Sequence, residues 1–158
     1  MQNLRRTVVQ TNADLVLSTQ WRKYPQHRQR LREALERSGI PASRIVGETP
    51  SFCGGPYCRA QEIKAFLDAH EELLDDEKRW AAVDDVNIEE QDPALMKGHF
   101  VKTDPLRGLT EERAQALVSV FAMKGKFLND GTETLEQMGL QDGGQVIAVI
   151  KPRSAPPR

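Results

Sequence analysis

Hydrophobic positions along the chain switch between a helical and an extended period. Leu4 and Val8 stand four apart and predict a short helix over 3–11 that ends near Asn12. "DLVLST", residues 14–19, is apolar and β-branched and predicts a strand. Residues 26–38 predict an amphipathic helix: Leu31, Ala34 and Leu35 form the stripe, Pro25 stands near the start and Gly39 follows the end. "RIVGE", 44–48, predicts a second strand closed by Gly47 and Pro50. After the loop "SFCGGPYC", residues 59–74 predict a helix with Ile63, Phe66, Leu67, His70 and Leu74 on one face. "RWAAVDD", 79–85, and "GHFVKTD", 98–104, predict the third and fourth strands. "LTEERAQALVSVF", 109–121, predicts a helix whose stripe is Ala114, Leu117, Val118 and Phe121. Thr110 is its expected N-cap, and Glu111 and Glu112 suit the positive first turn.

Strands alternating with helices of three to four turns imply βαβ units and a parallel sheet covered on both faces. The runs "LVL" and "AAV" fit strands buried on both sides. Ligands of such sheets gather at the carboxyl ends of the strands. The polar residues expected there are Ser18 and Thr19, Glu48 and Thr49, and Asp84 and Asp85. The character changes after about residue 122. "MKGKFLNDGTETLEQMGLQDGGQVIAVIKP" holds two strand-like pieces around a short helix-like "TLEQM", and "QVIAVI" is a strong final strand. "RSAPPR", 153–158, predicts a flexible tail.

Composition narrows the class. With 158 residues, 39% of them hydrophobic, the chain suffices for one modest domain and a small appendix. The net charge of −1 supplies no global basic field for nucleic acid. Arg28, Arg30, Arg32 and Arg37 are interleaved with Glu33 and Glu36, which predicts a solvated helix face rather than an RNA groove. Nucleic acid is therefore not expected as a partner. No apolar run approaches the roughly 20 residues of a membrane span, and the N-terminus has no apolar signal region. Cys53 and Cys58 do not make a disulfide framework, and His27, His70 and His99 stand too far apart to complete a zinc site with them. The expectation is an intracellular protein with reduced thiols, cytoplasmic first and nuclear as the alternative. Trp21 and Trp80 are expected to pack, and His70 to be a buried or half-buried core histidine on its stripe.

Residues 1–121 resemble the haloacid-dehalogenase-like (HAD) phosphatase superfamily, and among its members the HAD domain of multidomain RNA-repair proteins. The matching words are "DLVLSTQWR" at 14–22, "GETP" at 47–50, "CRAQEIKAFLDAH" at 58–70, "WAAVDD" at 80–85 and "GHFVKTDPLRGLTEERAQAL" at 98–117. The resemblance implies four motifs around one phosphoryl group: an aspartate nucleophile in a D-x-D strand, a hydroxyl, a cation and an acidic pair that helps hold Mg²⁺. Carried onto this chain, Ser18 is the hydroxyl, with Thr19 second. Arg59 is the cation, with Lys64 as fallback. Asp84 and Asp85 are the metal pair, of a kind that suits Mg²⁺ keeping several waters.

One motif has no counterpart. The D-x-D strand belongs upstream of the helix "MQNLRRTVV", and Asp14 only begins the hydroxyl-motif strand. The strand it would occupy is central in that fold, so its absence implies an incomplete sheet with apolar inner edges. Residues 121–152 resemble the second half of a ubiquitin-like domain, through Gly125, Leu128, Asp130, Thr134–Leu135, "MGLQDGG" and "QVIAVI". A plain β-turn-β unit is the alternative, and the end "APPR" lacks the Gly-Gly of a conjugated modifier. The expected fold is thus α/β: an incomplete three-layer parallel HAD-like sheet over 1–120, a small β-turn-β ubiquitin-like segment over 121–152, and the tail. The expected function is a non-catalytic domain acting in binding, with a possible protein partner at the ubiquitin-like segment, or a gene fragment. The competing expectation is a Mg²⁺-dependent phosphatase, should an upstream D-x-D strand exist.

Overall fold

The computed structural model describes residues 1–53, 56–74, 79–122 and 148–152. Helix α1 (Gln2–Thr11) ends at Asn12, whose left-handed backbone (φ 53°) lets its N–H reach the Val8 carbonyl. Strand β1 (Ala13–Leu17) follows and is buried along its whole length. Helix α2 (Pro25–Arg37) opens on proline and closes through Gly39, where φ is +84°. The Gly39 N–H donates to the Glu36 carbonyl and the Ile40 N–H to that of Leu35, both at 2.9 Å. This double closure needs a residue that tolerates positive φ, so the expected stop at Gly39 has its reason. Strand β2 (Ile45–Glu48) leads to helix α3 (Arg59–Ala69), then come strand β3 (Ala81–Asp84), the single-turn helix α4 (Pro93–Met96) and strand β4 (Phe100–Lys102). Helix α5 (Glu111–Ala122) is capped by Thr110, whose Oγ1 accepts from the Arg113 N–H. Strand β5 (Ala148–Pro152) completes the set.

Among the described residues the strands form one five-stranded sheet in the order β2-β1-β5-β3-β4. β1 pairs with β2, and β3 with β4, in parallel, as the βαβ rhythm predicted. β5 runs antiparallel to both β1 and β3 and joins the two parallel pairs. This corrects the expectation of a wholly parallel sheet with open inner edges. A central strand must satisfy backbone donors and acceptors on two sides, and either direction does so. An apolar run buried on both faces carries no mark of its direction. The rest of the 121–152 segment, including its ubiquitin-like hairpin, lies outside the described residues.

The sheet divides two apolar clusters. Leu15 and Leu17 of β1 with Ala81 and Val83 of β3 meet Leu4 and Val8 of α1, Leu31 and Leu35 of α2, and Leu117 and Phe121 of α5. Val16 and Ala82, the alternate positions, meet Ala60, Ile63, Phe66 and Leu67 of α3 with Trp80, Ile88 and Met96. The two-residue alternation of each strand thus feeds both faces. α1 is tied to the start of α5 by Asn3, which donates to the Leu109 carbonyl at 2.8 Å, and by the Arg6–Glu111 pair at 2.7 Å. The stripe assigned to residues 59–74 is correct only to Ala69; a 3₁₀ turn takes over at Glu71–Leu73. His70 caps α3 half-buried against Phe66, with ring centroids 4.5 Å apart. No described helix is long and apolar enough to cross a membrane.

Cys53 and Cys58 are joined as a disulfide, with Cα atoms 6.0 Å apart, which corrects the expectation of two reduced thiols. Chain spacing alone could not decide this, because four intervening residues can bring two cysteines together or hold them apart.

Gly47 of β2 lies against the ring of Phe66; an added Cβ would stand 2.8 Å from Phe66 Cε2. Gly47→Ala is expected to lower stability by roughly 1–3 kcal/mol, the usual cost of overpacking. The urea midpoint checks this, and Phe66→Leu in the same chain should recover part of the loss.

Candidate functional site

Ser18, Thr49 and Asp84–Asp85 follow or end β1, β2 and β3 at one edge of the sheet, where the first turn of α3 brings in Arg59. Ser18 is fully buried, and its Oγ accepts a 2.9 Å hydrogen bond from the Thr49 hydroxyl. Thr19, the second choice for the hydroxyl, has another use: its Oγ1 accepts from the Trp21 N–H and caps the single turn Gln20–Lys23. Lys64, the fallback cation, is exposed and paired with Asp68 at 2.6 Å one turn along α3. Arg59 is the buried cation, 3% exposed.

Arg59 sits among carboxylates without bonding to any of them. Its Nε is 3.7 Å from Asp84 Oδ2 and its Nη1 is 3.9 Å from Glu62 Oε2. Both distances exceed hydrogen-bond range, and neither nitrogen has a partner. Burial lowers its pKa, and Asp84 is the largest influence opposing that. On the other side, Asp84 Oδ1 accepts from the Val86 N–H at 3.0 Å, while Asp84 Oδ2 and Asp85 Oδ1 are buried without hydrogen-bond partners. Burial raises the Asp84 carboxyl from 3.8 to about 7. A buried polar group without a partner costs free energy. Four such atoms, two on a cation and two on carboxylates, lie at the start of α3 and the end of β3.

Two residues that frame this place had no mark in the sequence. Arg22 is buried and donates to the carbonyls of Thr49 (2.9 Å), Ser18 (2.8 Å), Thr19 (2.7 Å) and Pro50 (2.8 Å), and to Glu62 Oε2 (2.7 Å). Glu62 is wholly buried and also accepts from the Phe52 N–H at 3.0 Å. Arg22 reads in the chain as one more surface charge, and Glu62 as a polar helix position. Only the convergence of β1, β2 and α3 buries both. Gln91 adds an outside tie by accepting from the Ala60 N–H at the start of α3.

The carboxylates fit Mg²⁺ in kind. Mg²⁺ takes one or two carboxylates and fills its remaining positions with water and phosphate oxygens, and Asp84 Oδ2 and Asp85 Oδ1 are the two unpartnered oxygens. Among the described residues no group of three acidic, histidine or cysteine side chains forms an all-protein cage.

The described strands thus bring a hydroxyl, a buried arginine and an acidic pair to one end of an α/β sheet. Residues 1–114 match the family described as the HAD domain in Swiss Army Knife RNA repair proteins, and the chain belongs to that family. No curated protein and no solved structure matches the chain.

Two outcomes are expected. Because the folded carboxyl of Asp84 is raised to about 7, the folded state holds a proton that the unfolded state has lost. The stability this confers is full below about pH 4 and is lost as pH rises through about 7. In buffer with a chelator, Asp84→Asn should flatten the difference in urea midpoint between pH 5 and pH 8 relative to the parent. Arg22→Met leaves Glu62 buried and uncompensated and should cost about 3–5 kcal/mol; Arg22→Met with Glu62→Leu should regain much of that, measured by thermal unfolding.

Proposed function

We propose that this chain is a phosphoryl-binding HAD-like domain of three-layer type that holds its ligand without forming a covalent aspartyl intermediate. One observation carries the reading: the strand between β1 and β3, where an attacking carboxylate would have to project between Ser18 and Asp84, is the antiparallel "AVIKP" of β5, and Ala148 stands opposite Leu17. The described middle strand offers no carboxylate. The polar groups around it are suited to a tetrahedral dianion. Arg59 has two unused donors, and Ser18, accepting from Thr49, keeps its own hydroxyl proton to give. A phosphoryl group entering there satisfies these donors with charge-assisted hydrogen bonds. Mg²⁺, when bound at Asp84 and Asp85, would offset the repulsion between those carboxylates and the phosphoryl oxygens.

The charge pattern argued against a nucleic-acid partner, but the family's description places such domains in RNA repair proteins, and on that ground a phosphate carried on RNA is the class of ligand we put first. Residues 121–152, on their likeness to half a ubiquitin-like domain, are proposed as a surface for a protein partner, and the protein as intracellular. The second reading is a Mg²⁺-dependent phosphatase that receives its nucleophile from further polypeptide. The unpartnered oxygens of Asp84 and Asp85 favour it.

Titration with inorganic phosphate, followed by calorimetry with and without Mg²⁺, tests the first reading. Binding is expected, weakened at least about tenfold by Arg59→Met, given the worth of hydrogen bonds to charged groups, and weakened less by Ser18→Ala. Hydrolysis of an aryl phosphate by this chain, abolished by Asp85→Asn, would overturn the non-catalytic reading.

A further inference from the structure

Around the polar pocket the usual order of burial is inverted. Ser18, Arg22, Arg59 and Glu62 are buried, while the aromatic side chains beside them are exposed: Tyr24 by 53%, Phe52 by 58% and Tyr57 by 82%. Exposed aromatic groups carry meaning where they lie together, since a contiguous apolar patch in water is a site for a ligand or partner. These side chains belong to two walls. One is the turn after β1, where His27 packs on Trp21 and Tyr24 with ring centroids 5.8 and 5.4 Å away. The other is the loop after β2, where Phe52 precedes Cys53 and Tyr57 precedes Cys58, and the disulfide holds those cysteines' Cα atoms 6.0 Å apart.

The walls are tied to each other and to the pocket. Lys23 Nζ donates to the Cys53 carbonyl at 2.7 Å and spans the two walls. The Phe52 N–H is fixed on Glu62, which Arg22 holds and which lies 3.9 Å from Arg59.

We propose that Tyr24, Phe52 and Tyr57 form a rim that stacks the base of a nucleoside monophosphate whose phosphoryl group occupies the Ser18–Arg59 pocket. This rests on the phosphoryl-binding reading and adds what the phosphate is attached to. An aromatic rim accepts any base, because every base presents a π-face. Recognition is then of a nucleotide rather than of a sequence. The nucleotide is either free or the phosphorylated end of a single strand; the chemistry at the rim is the same.

The test uses the full chain and Trp fluorescence, with inorganic phosphate, ribose 5-phosphate, adenosine 5′-monophosphate and a 5′-phosphorylated hexaribonucleotide as probes. The adenosine nucleotide is expected to bind roughly five- to a hundredfold more tightly than ribose 5-phosphate, the range that one stacked base supplies. Tyr24→Ala and Phe52→Ala should each remove most of that ratio while leaving the affinity for inorganic phosphate in place. Both side chains are exposed, so unchanged circular dichroism is expected, and Tyr57→Ala provides a third variant should either fail to fold. A hexanucleotide bound more than tenfold tighter than the mononucleotide assigns the site to a strand end, and equal binding assigns it to the free nucleotide; both support the rim. Equal affinity for the nucleotide and ribose 5-phosphate, or a ratio untouched by the alanine variants, overturns the rim while phosphate binding stands. Failure of every probe overturns the rim together with the pocket beneath it.

Discussion

The guanidinium of Arg22 is the constraint on which the functional edge depends. It gathers the carbonyls that end β1 and the carbonyls that follow β2, and closes on the carboxylate of Glu62 in α3. Taking both charges out of water is expensive, and the pair does not stabilise by virtue of being a pair. Its value lies in geometry. A guanidinium has five donors in a rigid plane, and here it offers a hydrogen to four carbonyls and one carboxylate. Strand ends that would otherwise leave those carbonyls dry and unpaired become a single rigid seat, on which Ser18 and Arg59 keep their places.

The electrostatics of the seat are deliberately unbalanced. Glu62 is compensated by Arg22 and a backbone N–H, whereas Arg59 and Asp84 approach without closing a bond. Burial raises Asp84 and lowers Arg59, the direction in which the charged form of each is disfavoured. Arg59 Nε and Nη1, Asp84 Oδ2 and Asp85 Oδ1 are buried without hydrogen-bond partners, and each such atom carries a cost.

Much of this was legible in the chain, for definable reasons. The helices 3–11, 26–38 and 109–121 were marked by their stripes and ends, and Gly39 and Thr110 do what their residue types suggest. β1 to β4 followed from short apolar runs, and Ser18 and Asp84 from lying at or just past the carboxyl ends of two of them. Arg22, Glu62 and the direction of β5 were not legible. A charged residue on a short turn or a helix is ordinarily solvated, and its burial is decided by elements dozens of residues away. Strand direction in a doubly covered sheet leaves no trace in residue choice.

The antiparallel middle strand also sets the order in which the molecule can assemble. β1 finds β2 after some thirty residues, and β3 finds β4 sooner, so each parallel pair closes a short stretch of chain. β5 meets partners at Ala13–Leu17 and Ala81–Ala82 from the far end of the chain. Contacts between such distant residues are the slow ones, because the entropy of closing the chain is lost before the contacts form. On that ground the two parallel pairs are expected to form before β5 joins them. The polar seat of Ser18, Arg59 and Asp84 lies across the seam that β5 closes.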